Sequence, residues 1–426
     1  MRAMISGLKS GKVTFYQRNG ELYIDTMGCG GTELLALEQS PFMNFMLDLA
    51  YTTENLLLKA VDVEQIVNQV RTYAAREAIP LSSDPRSCMI DGILWINPGW
   101  ESGELIKIEG GAWEVVASPG RIFAPLPASM AMAHPIHVPA TDLPGYLTKG
   151  IVSFGEFHCF FSTLAATMLM PSDDVHPVII LSGEGAKGKT TTMKLMTQLV
   201  DPDEGNECIS VGEDPRDLLV TCLYRKMIGL DNASKLPISD DILSQMYTGG
   251  TRRERKLHTN NELSETKIGR MRIFINGVAP GFSKSDFFTK AIFLDQPAVT
   301  VKDENGVDRF TSLSAVERDW KAMLPLVLGA LLGTIAAGLP HYQAWMARRE
   351  AEDRRADASV RFVEFAVMGE AFSRAMGFPE DEFTKQIDVL DKRSKVVAKE
   401  GDEVASLMLS LLNGEVEGAY QQLANF

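Results

Sequence analysis

The sequence predicts an α/β fold followed by an all-helical C-terminal region, and three observations lead to this prediction. A short, fully apolar run, Pro177–Leu181, leads into a glycine-rich segment and then into apolar residues at helical spacing, as in a buried parallel strand followed by a helix. Near the N-terminus, apolar and polar residues alternate over 12–16 and 21–25, before helical spacing from Val61 to Ala75. After about Arg309 the apolar spacing is helical almost to Phe426.

Length and composition limit the class of protein. The 426 residues exceed the typical ~100–200 residues of one domain, so two or three domains are expected. With 45% hydrophobic residues, 23% charged residues and a mean hydropathy of -0.03, the composition excludes collagen-like, fully disordered and polytopic membrane proteins. The net charge of -14 argues against broad nonspecific coating of nucleic acid, so any DNA contact must be concentrated in a local basic element.

The chain divides into four predicted parts. Residues 1–125 form a small α/β N-terminal module, in which 87–125 is either an antiparallel sheet or an extension of the first strands. The proline-rich stretch 126–150 is predicted to be a linker. A helical run over 151–170 then opens the α/β core, residues 151–310, and residues 311–426 form the helical C-terminal region.

The remaining sequence-wide features predict a cytoplasmic protein without membrane contact. The N-terminus lacks the apolar stretch of a signal peptide, and glycines interrupt the most apolar segment, 324–340, which we interpret as a buried helix. The cysteines are odd in number and widely spaced without a CxxC pair, so we expect reduced thiols. They are Cys29, Cys88, Cys159, Cys208 and Cys222.

The glycine-rich segment is a phosphate-binding motif. Residues 183–190 fit GxxxxGK[ST], in which glycines let backbone N–H groups surround phosphate oxygens. Lys189 would neutralise the β- and γ-phosphate oxygens of ATP, and the Thr190 hydroxyl would bind Mg²⁺. The predicted nucleotide-contacting residues are Gly183, Glu184, Gly185, Ala186, Lys187, Gly188, Lys189, Thr190 and Thr191.

Two later apolar runs end in polar residues, where a nucleotide site would need them. Lys226–Leu230 is followed by Asp231 and Asn232, and Asp231 is predicted to hold the hydration shell of Mg²⁺. The alternative is that Asp231 and Asn232 only form the turn that ends the strand. Asn232 stands where many motor ATPases have a glutamate base, so the general base stays open, with Asp240 and Asp241 as candidates. The run Met271–Ile275 ends at Asn276, which could sense the γ-phosphate and orient water; an ordinary strand-end turn is the alternative.

A locally basic segment lies between these two strand ends. Residues 248–272 contain seven Lys or Arg against three Glu, in a chain that is acidic overall, with an Asn260-Asn261 turn pair in the middle. Such a hairpin can contact the phosphates of a DNA strand, although a solvated surface loop has the same charge pattern. The predicted DNA-binding residues are Arg255, Lys256, His258 and Lys267.

These motifs resemble the superfamily 3 helicase-like AAA+ ATPases of phages and mobile elements, which are relatives of the ATPase half of phage and poxvirus primase-helicases. The resemblance is carried by 230–234, 247–250, 255–258, 275–278 and 286–290. It implies a P-loop NTPase core of the AAA+, helicase superfamily 3-like class, in a hexameric or other ring that hydrolyses ATP at subunit interfaces and translocates on DNA. The family's Walker A, Walker B and sensor positions fall on Lys189 and Thr190, on Asp231 and Asn232, and on Asn276.

Two departures from the family leave roles open. Lys290 stands where the family often has an arginine, so Arg252, Arg253 and Arg255 compete for the arginine-finger role, of which Arg255 is our choice as a catalytic residue. Residues 1–150 show no primase-like acidic cluster, which suggests that a primase or other replication protein is a separate partner.

The sequence therefore predicts an ATP-dependent DNA helicase or translocase of a phage or mobile element, acting in DNA replication with Mg-ATP on single-stranded or forked DNA. The alternative is an ATP-dependent switch or remodelling ring that grips DNA or protein without unwinding. A small-molecule kinase is disfavoured, because it would leave the long helical tail unexplained.

Overall fold

We describe the fold from a computed structural model of the full chain. Its described residues are 14–26, 34–37, 40–55, 57, 59–151, 154–171, 176–183, 187–209, 215–231, 240–255, 263–268, 270–277, 290–298, 300–302, 308–310, 312–351 and 362–396.

The N-terminal unit is a four-stranded sheet with two helices on one face. Its elements are β1 (Thr14–Arg18), β2 (Glu21–Asp25), β3 (Leu34–Ala36), α1 (Ser40–Glu54), α2 (Ala60–Glu77) and β4 (Ile79–Pro80). The strand order is β3-β2-β1-β4, in which β4 alone is parallel to its neighbour. A separate apolar cluster, which includes Phe15, Phe42 and Val63, fills the space between sheet and helices. The unit therefore has a hydrophobic core of its own.

A second, fully antiparallel sheet follows. Its strands, in the order β5-β6-β7-β8, are β5 (Ser87–Ile90), β6 (Ile93–Ile96), β7 (Leu105–Glu109) and β8 (Ala112–Val116). Two-residue turns join β5 to β6 and β7 to β8, and all four turn residues have positive φ, as type I′ turns require. Asp91-Gly92 and Gly110-Gly111 supply that conformation. Of the two interpretations of 87–125, the structure shows the antiparallel sheet.

The chain then enters helices α3 (Leu143–Gly150) and α4 (His158–Leu169). The predicted helical run over 151–170 is corrected here, because the regular helix begins only at His158. Gly155 has a φ of 55°, and a short 3-10 turn over Gly155–Phe157 precedes the helix. From Cys159 to Leu169 every residue of α4 is buried, including its polar ones, so this helix lies inside the molecule.

The α/β core is built on a parallel sheet of four strands. In chain order its elements and the following short strands are β9 (Val178–Ser182), α5 (Lys189–Val200), α6 (Pro215–Tyr224), β10 (Met227–Leu230), α7 (Asp240–Thr248), β11 (Gly250–Arg255), β12 (Leu263–Ile268), β13 (Arg272–Asn276), β14 (Ala291–Asp295), β15 (Thr300–Lys302) and β16 (Asp308–Phe310). The sheet order is β10-β13-β9-β14, with every pair parallel. All four strands therefore present their carboxyl ends at one edge.

The C-terminal region is helical, as predicted, in the residues that the structure describes. It contains α8 (Leu313–Ala351), α9 (Val363–Ala375) and a further helical stretch over 382–396. A β-carbon at Gly329 would lie 1.7 Å from the Ile136 carbonyl oxygen, and one at Gly338 would lie 2.9 Å from the Ala371 carbonyl oxygen. The glycines of the 324–340 segment thus do not interrupt α8; two of them let other backbone segments approach it closely.

Helix α8 is the centre of the largest apolar core. Its 313–348 stretch is long and apolar enough to cross a membrane by length and composition, but 61% of the most apolar window is buried inside the molecule. Val327, Leu331 and Ile335 are fully buried in a cluster that also contains side chains of β6, β7, α4 and α9. Packing within the protein therefore accounts for the apolar character of this helix, as expected for a buried helix.

The stretch 126–150, predicted to be a linker, is instead partly helical and packed against the core. It contains α3, and Met132, Leu143 and Leu147 belong to the largest core. The backbone N–H of Ile136 donates to the Pro325 carbonyl of α8 at 3.0 Å. The proline-rich stretch is therefore not a free linker, because it packs along α8.

Candidate nucleotide-binding site

The predicted phosphate loop joins β9 to α5 at the carboxyl edge of the parallel sheet. Gly183 has a φ of 123° and Gly188, the residue before the helix, has a φ of 82°, a conformation that side chains with a β-carbon rarely adopt. Helix α5 begins at Lys189. The N-terminus of a helix carries unpaired N–H groups and a partial positive charge, so it can bind an anion such as a phosphate group.

Lys189 extends over this loop. Its Nζ donates a hydrogen bond to the Gly183 carbonyl oxygen at 2.7 Å. Partial burial, and in second place the neighbouring charge of Lys187, lowers the pKa of Lys189 below its ordinary value. Both effects disfavour a positive charge at this position, and an anion bound to the loop would offset them.

Three side chains from separate elements meet directly behind the loop. Thr190 Oγ1 donates to Asp231 Oδ1 at 3.1 Å, and Asn276 Nδ2 donates to Thr190 Oγ1 at 3.1 Å. Asp231 follows β10 and Asn276 ends β13, which lies between β10 and β9. Because parallel strands end at the same edge, the sheet order brings the three residues together. The structure thus joins three of the predicted site residues.

The chemistry of this group fits Mg²⁺. A hydroxyl and a carboxylate offer hard oxygen ligands, and Mg²⁺ is usually held by one or two such groups together with water and substrate phosphates. Thr190 and Asp231 are half-buried, whereas Asn276 is only 3% exposed. Thr190 and Asp231 therefore keep part of their surface exposed, while Asn276, whose amide fixes the Thr190 hydroxyl, is held in the core.

Strand β14 contributes a contact that sequence reasoning missed. Ser182 Oγ donates to Asp295 Oδ1 at 2.5 Å, and the Gln296 N–H donates to the Ser182 carbonyl at 3.0 Å. These bonds fix the last residue of β9, directly before the loop, from the side of β9 away from Asp231. The signal was in the sequence, because Asp295 follows an apolar run just as Asp231 does.

A thiol lies close to the same helix start. Cys208 Sγ is 3.9 Å from the Thr190 carbonyl oxygen, within the range of a weak S–H hydrogen bond. Burial, followed by the nearby charge of Asp231, raises the pKa of Cys208 to about 12. The group is therefore a neutral thiol at physiological pH, in agreement with the expectation of reduced cysteines.

Several predicted site residues lie outside this cluster. Lys187 precedes Gly188 at the end of the loop, and Thr191 is the third residue of α5; both are half-buried. Asp240 and Asp241, the candidate bases, are the first two residues of α7. The remaining predicted positions, Glu184, Gly185, Ala186, Asn232, Lys256 and His258, lie outside the described residues.

The basic segment folds as an antiparallel hairpin of β11 and β12. The register pairs Gly250 with Ile268 at the base and Arg255 with Leu263 at the far end. Lys267 stands opposite Thr251, close to the base. The backbone therefore separates two of the predicted DNA-binding positions, Arg255 and Lys267, by almost the full length of the hairpin.

Lys290 lies at the opposite edge of the parallel sheet from the phosphate loop. It directly precedes β14, and its Nζ is 3.4 Å from Ser244 Oγ and 5.8 Å from the centre of the Tyr247 ring. Asp295 is five residues further along, at the other end of β14, a span of roughly 15 Å. Lys290 therefore cannot reach the phosphate loop of its own chain.

Comparisons with known proteins give limited information. No family model matches the sequence, and no curated protein matches it. Solved structures similar to this chain include three of the C-terminal region of NrS-1, described as apo structures. Their sequences are 10%, 9% and 10% identical to this chain. The matched regions cover 98%, 89% and 90% of this chain, and 83%, 89% and 92% of the respective solved chains. The TM-score is 0.38 for each, a similarity too low to support a conclusion about activity.

Proposed function

We propose that this protein is a Mg²⁺-dependent ATPase that drives a DNA helicase or translocase in the replication of a phage or mobile element. The observation that carries the proposal is the contact of Thr190 with both Asp231 and Asn276, beside the Lys189 ammonium at a helix N-terminus. A glycine turn that ends a strand does not require a carboxylate and an amide from two other strands to converge on its threonine.

In the proposed reaction, water attacks the γ-phosphorus of ATP, the bond to the β–γ bridging oxygen breaks, and ADP, phosphate and a proton are released. The loop amides and Lys189 bind the phosphates and offset their charge. Thr190 and Asp231 would hold Mg²⁺, which supplies further compensation of phosphate charge when bound. Asn276 fixes the Thr190 hydroxyl, and in this proposal its amide would also help to orient the attacking water.

A ring would complete this site with a cation from the neighbouring subunit. Lys290, at the far edge of its own sheet, could take this role only at the site of another chain. Arg252, Arg253 and Arg255, on β11 of the hairpin, remain candidates for the same role. Our proposal is a hexameric or other closed ring with nucleotide at each interface.

The DNA-contacting element in this proposal is the hairpin of β11 and β12. Its second strand leads through Arg270 and Met271 into β13, which ends at Asn276, so one short stretch of chain connects hairpin and site. Nucleotide-dependent changes at Asn276 could thus be transmitted to a bound single strand. A ring that grips DNA or protein without unwinding would use the same parts and is the second candidate function.

The experiment that tests the ATPase compares two aspartates at the same edge of the sheet. For Asp231→Ala we expect Mg²⁺-dependent phosphate release to fall by about 10²–10³-fold, as for other electrostatic groups in active sites. Asp295→Asn is the matched control: Asp295 ends β14 at the same edge, and the oxygen of the asparagine amide can still accept the Ser182 hydrogen bond. This variant should keep most of the parent rate. If Asp231→Ala keeps the parent rate, the metal site has been misplaced.

A second measurement separates the two candidate functions. Strand displacement on a forked DNA substrate with ATP, combined with negative-stain imaging, reports unwinding and ring formation. Unwinding by rings supports the helicase; ATP hydrolysis with DNA binding but without displacement supports the gripping switch.

A further inference from the structure

The amino edge of the parallel sheet, opposite the phosphate loop, contains a buried cluster of charges. Its members, which we call the Asp201 junction, are Asp84, Arg86, Asp201, Arg225 and Lys226. Asp201 follows the last residue of α5, and Arg225 and Lys226 directly precede β10. The Arg86 and Asp201 side chains are fully buried, and Arg225 is 2% exposed.

Asp201 joins the helix to the strand. Burial alone would raise the pKa of Asp201, but the positive charges of Arg86 and Arg225 outweigh that effect and keep the pKa below its ordinary value. The carboxylate is therefore ionised, and both of its oxygens accept hydrogen bonds. The donors are Arg86 Nε at 2.7 Å, Arg225 Nε at 3.2 Å, and the backbone N–H groups of Lys226 at 2.7 Å and Met227 at 3.0 Å.

The same helix and strand meet again at their other ends. Helix α5 starts with Lys189 and Thr190, and β10 is followed by Asp231, whose carboxylate accepts the Thr190 hydrogen bond. Between the two ends the elements pack closely, because a β-carbon at Gly229 would lie only 3.1 Å from Met193 Cγ. Helix α5 and strand β10 are thus connected by hydrogen bonds at both ends: those of the Asp201 carboxylate at one end, and the bond between Thr190 and Asp231 at the other.

We propose that Asp201 is a positioning residue for the nucleotide site: its carboxylate fixes the register of α5 against β10 and thereby the separation of Thr190 and Asp231. This inference rests on the proposed function of those two residues as Mg²⁺ ligands. A helix and a strand that pack closely behave as stiff elements, so a shift at the Asp201 end is transmitted to the Thr190 end instead of being absorbed between them.

Arg86 extends this connection to the antiparallel sheet. Its Nη2 donates to the carbonyls of Met130 at 2.6 Å and Pro202 at 3.1 Å, while its Nε holds Asp201. Lys226 Nζ binds Asp84 and donates to Ser87 Oγ at 2.8 Å. The segment around β5 therefore supports the junction from outside, whereas the Asp201 carboxylate binds the backbone N–H groups at the start of β10 directly.

The test measures how much Mg²⁺ strengthens ATP binding, since a purely structural role would not change that ratio in the folded protein. ATP affinity is measured with Mg²⁺ and with EDTA by titration calorimetry, on the full chain, below the melting temperature of each variant. For Asp201→Asn we expect the ratio of the two affinities to fall by about 10–100-fold, as for other residues that orient metal ligands. The affinity without metal should stay within about twofold, because Lys189 and the loop remain intact.

Two further variants make the outcome decisive. Asp201→Glu keeps the charge but lengthens the side chain by one methylene, so it should also lower the ratio, and it replaces Asp201→Asn if that variant does not fold. Lys226→Met is the matched control: it removes another buried charge of the junction, leaves the backbone N–H to Asp201 in place, and should keep the parent ratio. Asp84 then still accepts from the N–H groups of Arg86 and Ser87.

Each result decides the question. An unchanged ratio in the folded Asp201 variants overturns the inference while leaving the ATPase proposal standing. An equal fall in Lys226→Met also overturns it, because the effect would then follow from a general loss of stability. If the parent protein binds ATP in neither condition, the proposed function itself fails, and the positioning role of Asp201 fails with it.

Discussion

The two edges of the parallel sheet carry polar groups of opposite character. At the carboxyl edge, Thr190 and Asp231 are half-buried and joined by single hydrogen bonds. At the amino edge, Asp201 accepts four hydrogen bonds and has no exposed surface. The first group can exchange a protein partner for a ligand at small energetic cost, whereas the second cannot lose a partner without leaving a charge buried and unpaired.

The carboxyl edge of the sheet is therefore suited to bind a ligand, whereas the amino edge is suited to stabilise the fold. Substitutions at the carboxyl edge should reduce activity and leave stability nearly unchanged. Substitutions at the amino edge should reduce stability first. The following predictions test that separation, and each compares the parent protein with a variant or a variant with a control.

The largest effect is expected for Arg86→Ala. It leaves Asp201 with less positive charge in a fully buried site, and breaking such a pair typically lowers the free energy of unfolding by about 3–5 kcal/mol. Arg374→Ala is the control, because the ion pair of Arg374 with Glu380 is exposed, with side chains 56% and 68% accessible. It should cost no more than about 1 kcal/mol. Urea unfolding monitored by circular dichroism measures both; equally small losses would contradict the contrast between the edges.

Lys189→Ala should show the opposite pattern. We expect kcat for ATP hydrolysis to fall by about 10²–10³-fold, since the substitution removes one charge directed at the phosphates. The midpoint of thermal unfolding should stay at the parent value, because Lys189 is the half-buried first residue of α5 and lies outside the apolar core. Lys194→Ala, further along α5, should retain the parent rate. Turnover of Lys189→Ala close to the parent rate would rule out the phosphate-loop assignment.

The Asp201 junction should also respond to pH. Burial lowers the pKa of Lys226 from 10.5 to about 8. Between these two values the unfolded chain binds a proton that the folded protein does not, so the free energy of unfolding should rise with pH, by roughly 1–3 kcal/mol. Lys226→Met lacks this titration and should lack this part of the rise. Parallel urea titrations from pH 8 to 10.5 measure it; identical pH profiles would show that Lys226 keeps an ordinary pKa.

The smallest effect concerns the hairpin, which belongs to neither edge. Replacing Lys256 and Lys267 by alanine should make the slope of log affinity for single-stranded DNA against log salt shallower by about 0.7 for each phosphate that a lysine no longer neutralises. Basal ATP hydrolysis should persist, and its stimulation by DNA should fall. Lys321→Ala, on the exposed side of α8, should leave the slope unchanged. A collapse of basal hydrolysis with unchanged DNA affinity would place these lysines at the subunit interface.

The carboxyl edge was largely predictable from sequence. A phosphate loop requires glycines at fixed spacing, and the apolar runs before Ser182, Asp231 and Asn276 mark where buried strands end. The charge excess of the hairpin is a local feature, but it fits a surface loop equally well, and its position between the strands that end at Asp231 and Asn276 favoured the hairpin. The structure shows the two paired strands, whereas the predicted turn pair Asn260-Asn261 lies outside the described residues. The apolar run before Asp295 marks a strand end, but its place beside Ser182 was missed, because the pairing of β14 with β9 spans a long connection that no local pattern encodes.

The amino edge was not predictable. Arg86 and Asp201 are 115 residues apart, and each stands among polar neighbours that suggest an ordinary surface. Only the packing of α5, β10 and the β5 segment removes them from water. The linker prediction was wrong for a related reason: proline argues against regular structure, but it does not argue against burial against a distant helix. Gly329 likewise suggests a helix break when only the sequence is considered. In the structure the helix continues, and a glycine is needed there because the Ile136 backbone packs directly against it.

The dependence of the antiparallel sheet on α8 has a consequence for synthesis on the ribosome. The inner face of β6 and β7, which carries Leu94, Ile96, Ile106 and Ile108, shares its core with residues of α8 that are made roughly 220 residues later. At a translation rate of roughly 5–20 residues per second, this apolar face stays uncovered for about 10–40 s before α8 has been synthesised. The nascent chain therefore passes through a stage at which it is a good client for a chaperone, and slower translation would prolong that stage.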